Sequence, residues 1–403
     1  MTSSSKISNR IKIRPWKEEN NLMMQKPAPP ELANWLSQLI KIPSVNTAQA
    51  GGDDTIAGEK RLATALSNWF RQFGGDVTLD EVLPDRPNVY AIWRGASDLW
   101  RAVDVHMDTV GIRQMTEPPF SGDIIDGKVR GRGAADTKAT LGVLLAILEK
   151  LHQNKIKLDF NLLISATADE EIAQAGAQGL ARWLPKKGIK LNELLVAEPT
   201  LCQPAVGHKG DLCLIFDIHG KAAHSSQPEQ GENAITAAAK LITALEAEHQ
   251  RLQTLPPLPP LGHGKLTVTI VEGGSGTNVV PASCKVAADR RVLPGEDFDQ
   301  IGEHLQRLAE EHCPLPFTMK SMDPLKPFWQ AADTPWVQSL VSFTGCQPIT
   351  VPYGTNASYY PGLAQEIVVL GPGSIDQAHG AQEWIAVSEL ERMRDILLHW
   401  WGL

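Results

Sequence analysis

Three consecutive acids, Asp169, Glu170 and Glu171, close the stretch NLLISATADEEIA (161–173) after a run of six largely apolar residues. Three carboxylates side by side repel, and desolvating any of them without a partner is costly. Either water solvates the trio or a strong positive charge sits among them. Other candidates stand at similar places. VDVHMDTV sets His106 and Asp108 two apart near a strand end, so their side chains face the same way. A carboxylate beside an imidazole fixes its tautomer, which suits metal ligation. GRGAADTKA places Asp136 in a glycine-rich turn before a helix, LVAEPT places Glu198 after an apolar run, and GPGSIDQAH places His379 in a loop after IVVL. With Glu171 these make two histidines and three carboxylates, a sulfur-free set that suits two Zn or Co ions, less often Mn. Two divalent ions balance Asp136, Glu171, Glu198 and one hydroxide. Glu170, left over, is placed for general-base work on a water whose pKa such ions lower to about 7. Asp169 either orients the turn or is simply solvated. Each candidate also has a structural reading: His106 and Asp108 as a core pair, Asp136 as a helix cap, Glu198 as a turn acid, His379 as a surface loop residue.

The elements that carry these residues alternate. RAVDVHMD and DFNLLISATAD read as short strands, and TKATLGVLLAILEKLHQ between them as an amphipathic helix. Strand, helix, strand implies a βαβ unit in a mostly parallel α/β sheet, whose carboxyl strand ends gather function. From about residue 208 the order becomes βαββαβ: DLCLIFDIHG, NAITAAAKLITALEAEHQRL, KLTVTIVEGG, ASCKVAADRRVL, DFDQIGEHLQRLAEEH and PFTMKSM. That is a ferredoxin-like α+β unit. IVVLGPG and the helix VSELERMRDILLHWW then return to the first style. The expected organisation is a tail at 1–27, a catalytic domain at 28–207 and 325–403, and an inserted domain at 208–324.

At 403 residues, two domains are the default. A net charge of −8 argues against nucleic acid as the main partner, and no apolar run approaches a membrane span. The five cysteines are odd in number and form no CxxC pair, which fits reduced thiols in a cytoplasm.

The motifs HMDTV, GRGAADTK, ATADEE, EPT, GKAAHSSQPEQGENA, RRVLPG and LGPGSIDQAH occur in an order that resembles the dinuclear zinc aminoacylases, carboxypeptidase-G-type enzymes and desuccinylases. Within that family the chain looks most like the acetylornithine deacetylases, from about residue 28 to the end. The resemblance implies a homodimer with two metal ions per subunit, acting on an N-acyl amino acid, N-acetylornithine first. Desuccinylation of succinyl-diaminopimelate, or a broader aminoacylase or dipeptidase activity, is the alternative. It implies that His106 and Glu198 hold one zinc, Glu171 and His379 the other, and that Asp136 bridges them. Glu170 becomes base and then acid, and Asp108 orients His106. His224 would reach a partner's site and stabilise the oxyanion, while Asn278 and Arg291 hold the substrate carboxylate. YGTNASYYPG resembles a substrate loop in which Asp often replaces Asn356. Ala139 and Met107 also depart from the family's usual Gly and Thr, without removing a ligand. A non-catalytic binding homologue would have lost a ligand or the base, and none is lost here.

Overall fold

The computed structural model describes residues 26–403. The expected tail, 1–27, lies outside the described residues except for Lys26 and Pro27. Lys26 pairs with Asp395 at 3.2 Å, and the Pro27 carbonyl accepts from Arg394 at 2.7 Å.

A nine-stranded sheet forms the larger body. Its centre runs Asn161–Thr167, Trp100–His106, Leu191–Val196 and Ala364–Val369, all mutually parallel. The α/β class with a largely parallel centre is therefore as expected. Asn161–Thr167 is buried at every position, as its unalternating apolar run requires in a sheet covered on both faces. The antiparallel hairpin of Asp76–Leu83 and Arg86–Trp93 caps one edge. On one face, helices Pro29–Ile40, Lys138–Gln153 and Val387–Trp401 share a core that includes Leu36, Leu144 and Leu397. On the other, helix Ala175–Lys186 lays Leu180 and Trp183 against Tyr90 and Leu194.

Between Ala205–His208 and Phe328–Trp329, both in the large sheet, the chain builds a separate four-stranded antiparallel sheet. Its spatial order is Lys265–Gly273, Ser283–Val292, Gly210–His219, Phe317–Ser321, which is the ferredoxin-like arrangement. Gly210–His219 alternates buried and half-exposed residues, so one face carries Leu212, Leu214, Phe216 and Ile218 onto the helices and the other stays open. The helices Ala234–Thr254 and Phe298–His312 begin where Asn233 and Asp297 accept from Thr236 N (3.0 Å) and Gln300 N (2.9 Å).

Candidate metal centre

The four central parallel strands all point their carboxyl ends at one place. His106 ends Trp100–His106; Asp169, Glu170 and Glu171 follow Asn161–Thr167; Glu198 follows Leu191–Val196; and His379 lies in the loop after Ala364–Val369. Asp136 joins them from the turn before helix Lys138–Gln153. That turn needs its glycine: Gly133 has φ of +86°, and a Cβ there would meet Lys138 Cδ at 2.9 Å.

The Asp136 carboxylate faces two histidines, one with each oxygen. Oδ1 lies 3.0 Å from His106 Nε2, and Oδ2 lies 3.2 Å from His379 Nε2. His379 Nε2 is also 3.3 Å from Glu171 Oε2. Donor atoms of His106, Asp136 and Glu171 lie within 4.8 Å of one another, as do those of His106, Glu170 and Glu198. Glu171 Oε1 and Glu198 Oε1 are buried without a hydrogen-bond partner among the described residues. Buried carboxylate oxygens left unpaired beside like charges are the signature of a site built for cations, so the set fits divalent metal.

The electrostatics agree. Burial, and then the Glu170 charge, drives the Glu198 carboxyl well above its ordinary range. Burial and then Asp136 push Glu171 up to about 7, and burial lifts Glu170 to about 8 against the pull of His106. Asp136 behaves oppositely: burial alone would raise it, but the hydrogen bonds from His106 and His379 hold it well below the usual range. Hydrogen bonds to Asp136 and then Glu171 raise His379 to about 10.

Asp108 lies against His106 through both backbone and side chain. His106 Nδ1 donates to the Asp108 main-chain carbonyl at 2.9 Å, with the nearer carboxylate oxygen 3.6 Å away. The carboxylate accepts instead from the backbone of Glu170 (3.0 Å) and Glu171 (3.2 Å) and from Asn46 Nδ2 (2.8 Å). It clamps the acidic turn, while its backbone orients the ring. Asp169 belongs to the scaffold too. It sits at φ of 68°, which Asp tolerates better than most side chains, and pairs with Arg86 at 2.8 Å. Arg86 in turn holds Glu59 in a fork of 2.6 and 2.7 Å.

Sequence reasoning missed this ring of supports. Glu383 is the clearest case. It is 1% exposed and accepts from Arg132 (2.7 Å) and from the backbone of Gly133 (3.0 Å), Ala135 (2.9 Å) and Asp136 (3.1 Å). It therefore fixes the turn that presents Asp136. Neither QEW around Glu383 nor PDRPN around Arg86 carries a local signal.

The remaining candidates lie elsewhere. Asn356 is 1% exposed, its amide donating to Asp104 and Thr167, both at 3.1 Å. It sits in a polar layer under the strand ends. His224 and Asn278 are brought together in the smaller unit, where Ser225 N donates to the Asn278 carbonyl at 2.9 Å. Both are exposed, and among the described residues neither bonds to the acid cluster. His224 Nδ1 accepts from Ser226 N at 3.1 Å, which leaves Nε2 to carry the proton of the neutral ring. Arg291 lies on the open face of the smaller sheet, paired with Asp289 by two bonds of 2.9 Å.

An α/β sheet with two histidines and a set of unpaired carboxylates at its carboxyl edge defines a metal-dependent hydrolase. The chain belongs to peptidase family M20/M25/M40, which it matches over residues 102–401. It is 30% identical over 376 residues to an acetylornithine deacetylase from Proteus mirabilis (strain HI4320), covering 89% of this chain and 93% of that one. A second, from Shigella sonnei (strain Ss046), is 30% identical over 379 residues, covering 89% and 94%. Its fold is shared by a tripeptidase from Staphylococcus aureus, with a TM-score of 0.75, 21% identity and coverage of 93% and 97%. A dinuclear metal binding peptidase from Bacillus subtilis also shares it, with a TM-score of 0.62, 17% identity and coverage of 92% and 96%. Among the described residues no helix is long and apolar enough to cross a membrane.

Proposed function

We propose that the protein hydrolyses the amide bond of N-acyl amino acids at two divalent ions, Zn or Co. His106 and Glu198 would hold one, Glu171 and His379 the other, with Asp136 between them. The observation that carries this is the Asp136 carboxylate, which turns one oxygen to each histidine. When bound, the ions supply Lewis acidity to the amide carbonyl and lower the pKa of the attacking water. Glu170 takes the proton from that water as it adds to the carbonyl carbon. It then delivers the proton to the amide nitrogen as the C–N bond breaks, releasing a carboxylate and a free amine.

Residues 208–324 would pair with the same unit of a second copy in a homodimer. The unit has its own core, and His224 lies outside the acid cluster of its own chain. The partner's Nε2–H would meet the developing oxyanion, while Asn278 and Arg291 take the substrate carboxylate. Asn356, fully enclosed, supports the site from below rather than touching substrate. Five free cysteines support a reducing, cytoplasmic compartment.

N-acetylornithine is the first substrate to test, because relatives covering most of the chain bear that name. A second reading, a substrate with an additional carboxylate such as succinyl-diaminopimelate, is favoured by the cations around Arg291. Free-amine release from both compounds and from a set of N-acetyl amino acids, with Zn or Co and after chelation, tests the activity. Turnover that survives complete metal removal sinks the proposal.

A further inference from the structure

A cavity of about 490 Å³ opens where the smaller sheet meets the segment Thr350–Pro352 of the larger body. Lys209, Lys265, Arg291, Asp289 and Thr267 line it from the smaller unit. Lys265 and Arg291 are directly opposed on neighbouring antiparallel strands. Side chains at such positions lie about 5 Å apart, where like charges destabilise a sheet. Lys209 adds a third cation: its ammonium donates to the His263 carbonyl at 2.6 Å. Burial first, and then Lys265, Arg290 and Arg291, push its pKa down.

The acids nearby do not balance this charge. Asp289 is engaged by Arg291 through both oxygens. Asp211, opposite Arg291 on the third strand, is shifted toward its neutral form by burial and then by Asp289. Arg290 points to the other face and pairs with Glu296. The Lys265 ammonium has no hydrogen bond or ion pair among the described residues. Arg291 is thus paired, but among the described residues the Lys209 and Lys265 ammoniums have no carboxylate partner, and with the threonine hydroxyls they suit the cavity to an anion. The Thr350–Pro352 wall runs into Tyr353, whose hydroxyl donates to the carbonyl of Pro199 at 3.2 Å, next to Glu198.

We propose that Lys209 and Lys265 form a subsite for a second substrate carboxylate beside the one assigned to Arg291, so that dicarboxylic N-acyl amino acids are preferred over cationic ones. This rests on the amide-hydrolase reading and names its substrate class. The second carboxylate belongs either to the amino-acid side chain or to the acyl group.

Full-length, metal-loaded enzyme is assayed on N-acetylglutamate against N-acetylglutamine and N-acetylornithine, and on N-succinylalanine against N-acetylalanine. The expected result is a kcat/KM preference of about 10- to 100-fold for the dicarboxylic member of one comparison. Preference in the first comparison places the carboxylate in the side chain; preference in the second places it in the acyl group. In Lys265→Gln and Lys209→Gln that ratio falls toward one, chiefly through KM. Equal rates within both comparisons, a preference for N-acetylornithine, or an equal loss on all substrates in the variants overturns the subsite. Calorimetric titration with glutarate separates its failure from that of the hydrolase reading. If no amide is cleaved, glutarate binding that weakens about tenfold in Lys265→Gln still supports the subsite. Absent binding, or binding the variants leave unchanged, overturns it.

Discussion

Glu383 and Glu198 are both buried glutamates, 1% and 5% exposed, and they differ in what surrounds them. Glu383 has a guanidinium at 2.7 Å and three backbone N–H donors. Glu59 and Asp169 share Arg86 in the same manner. Glu198 has no arginine, one oxygen without a partner, and Glu170, Asp136 and Glu171 as charged neighbours. The first group is complete within the protein and holds the turns in place. The second is left incomplete at the point those turns converge, where a bound cation would complete it. Charge satisfaction, rather than burial, separates scaffold from site.

The largest effect should come from Glu170, the acid proposed to move the proton. Glu170→Gln is expected to lower kcat by about 100- to 10,000-fold while leaving the metal content intact. Metal analysis beside single-turnover rates checks it, and metal loss in this variant would place Glu170 among the ligands. Next, Glu198→Gln should lower activity about 1,000-fold and reduce bound metal. In metal-free protein the same change should leave the melting temperature level or higher, because it removes a repelling charge. A large drop would put Glu198 on the scaffold side of the comparison.

Glu383→Ala should do the reverse. It strands Arg132 in the interior and is expected to cost about 3–5 kcal/mol by urea denaturation, with or without metal. Activity then falls because the Asp136 turn loosens. The smallest effect concerns a buried group kept neutral. His208 bonds to the Lys209 carbonyl at 2.9 Å and to Thr355 Oγ1 at 3.1 Å, and burial lowers its pKa to about 4. Its unfolded value is higher, about 6.5, so the stability it contributes is present in full above pH 6.5 and is lost as pH falls toward 4. Between pH 7 and 5 that loss is about 2 kcal/mol, and His208→Gln should flatten the melting-temperature profile over this interval. An unchanged slope would show that other groups govern acid sensitivity.

Much of the candidate site was legible because His106, Glu171, Glu198 and His379 each follow an apolar run. In a sheet covered on both faces such a run can only be a central strand, and parallel strands deliver their carboxyl ends to one edge. His106, Glu171, Glu198 and His379 were therefore readable as a set before their distances were known. The supports were not. Arg132 and Glu383 are 251 positions apart, and Arg86 lies 27 from Glu59. No spacing rule links residues whose pairing depends on how loops pack. Asn356 shows the same limit from the other side: its loop pointed to substrate, but packing placed its amide beneath the strands with Asp104.

The sequence alone determined the alternation of elements, the change of pattern near residue 208 and a candidate donor set for metal, since these follow from local periodicity and residue chemistry. Only the tertiary structure decided which acids are neutralised. That depends on whether a distant arginine or backbone N–H arrives within about 3 Å, where a charged hydrogen bond offsets the cost of burial. It likewise decided that Lys209, Lys265 and Arg291 meet, because strand register alone sets which charges face each other.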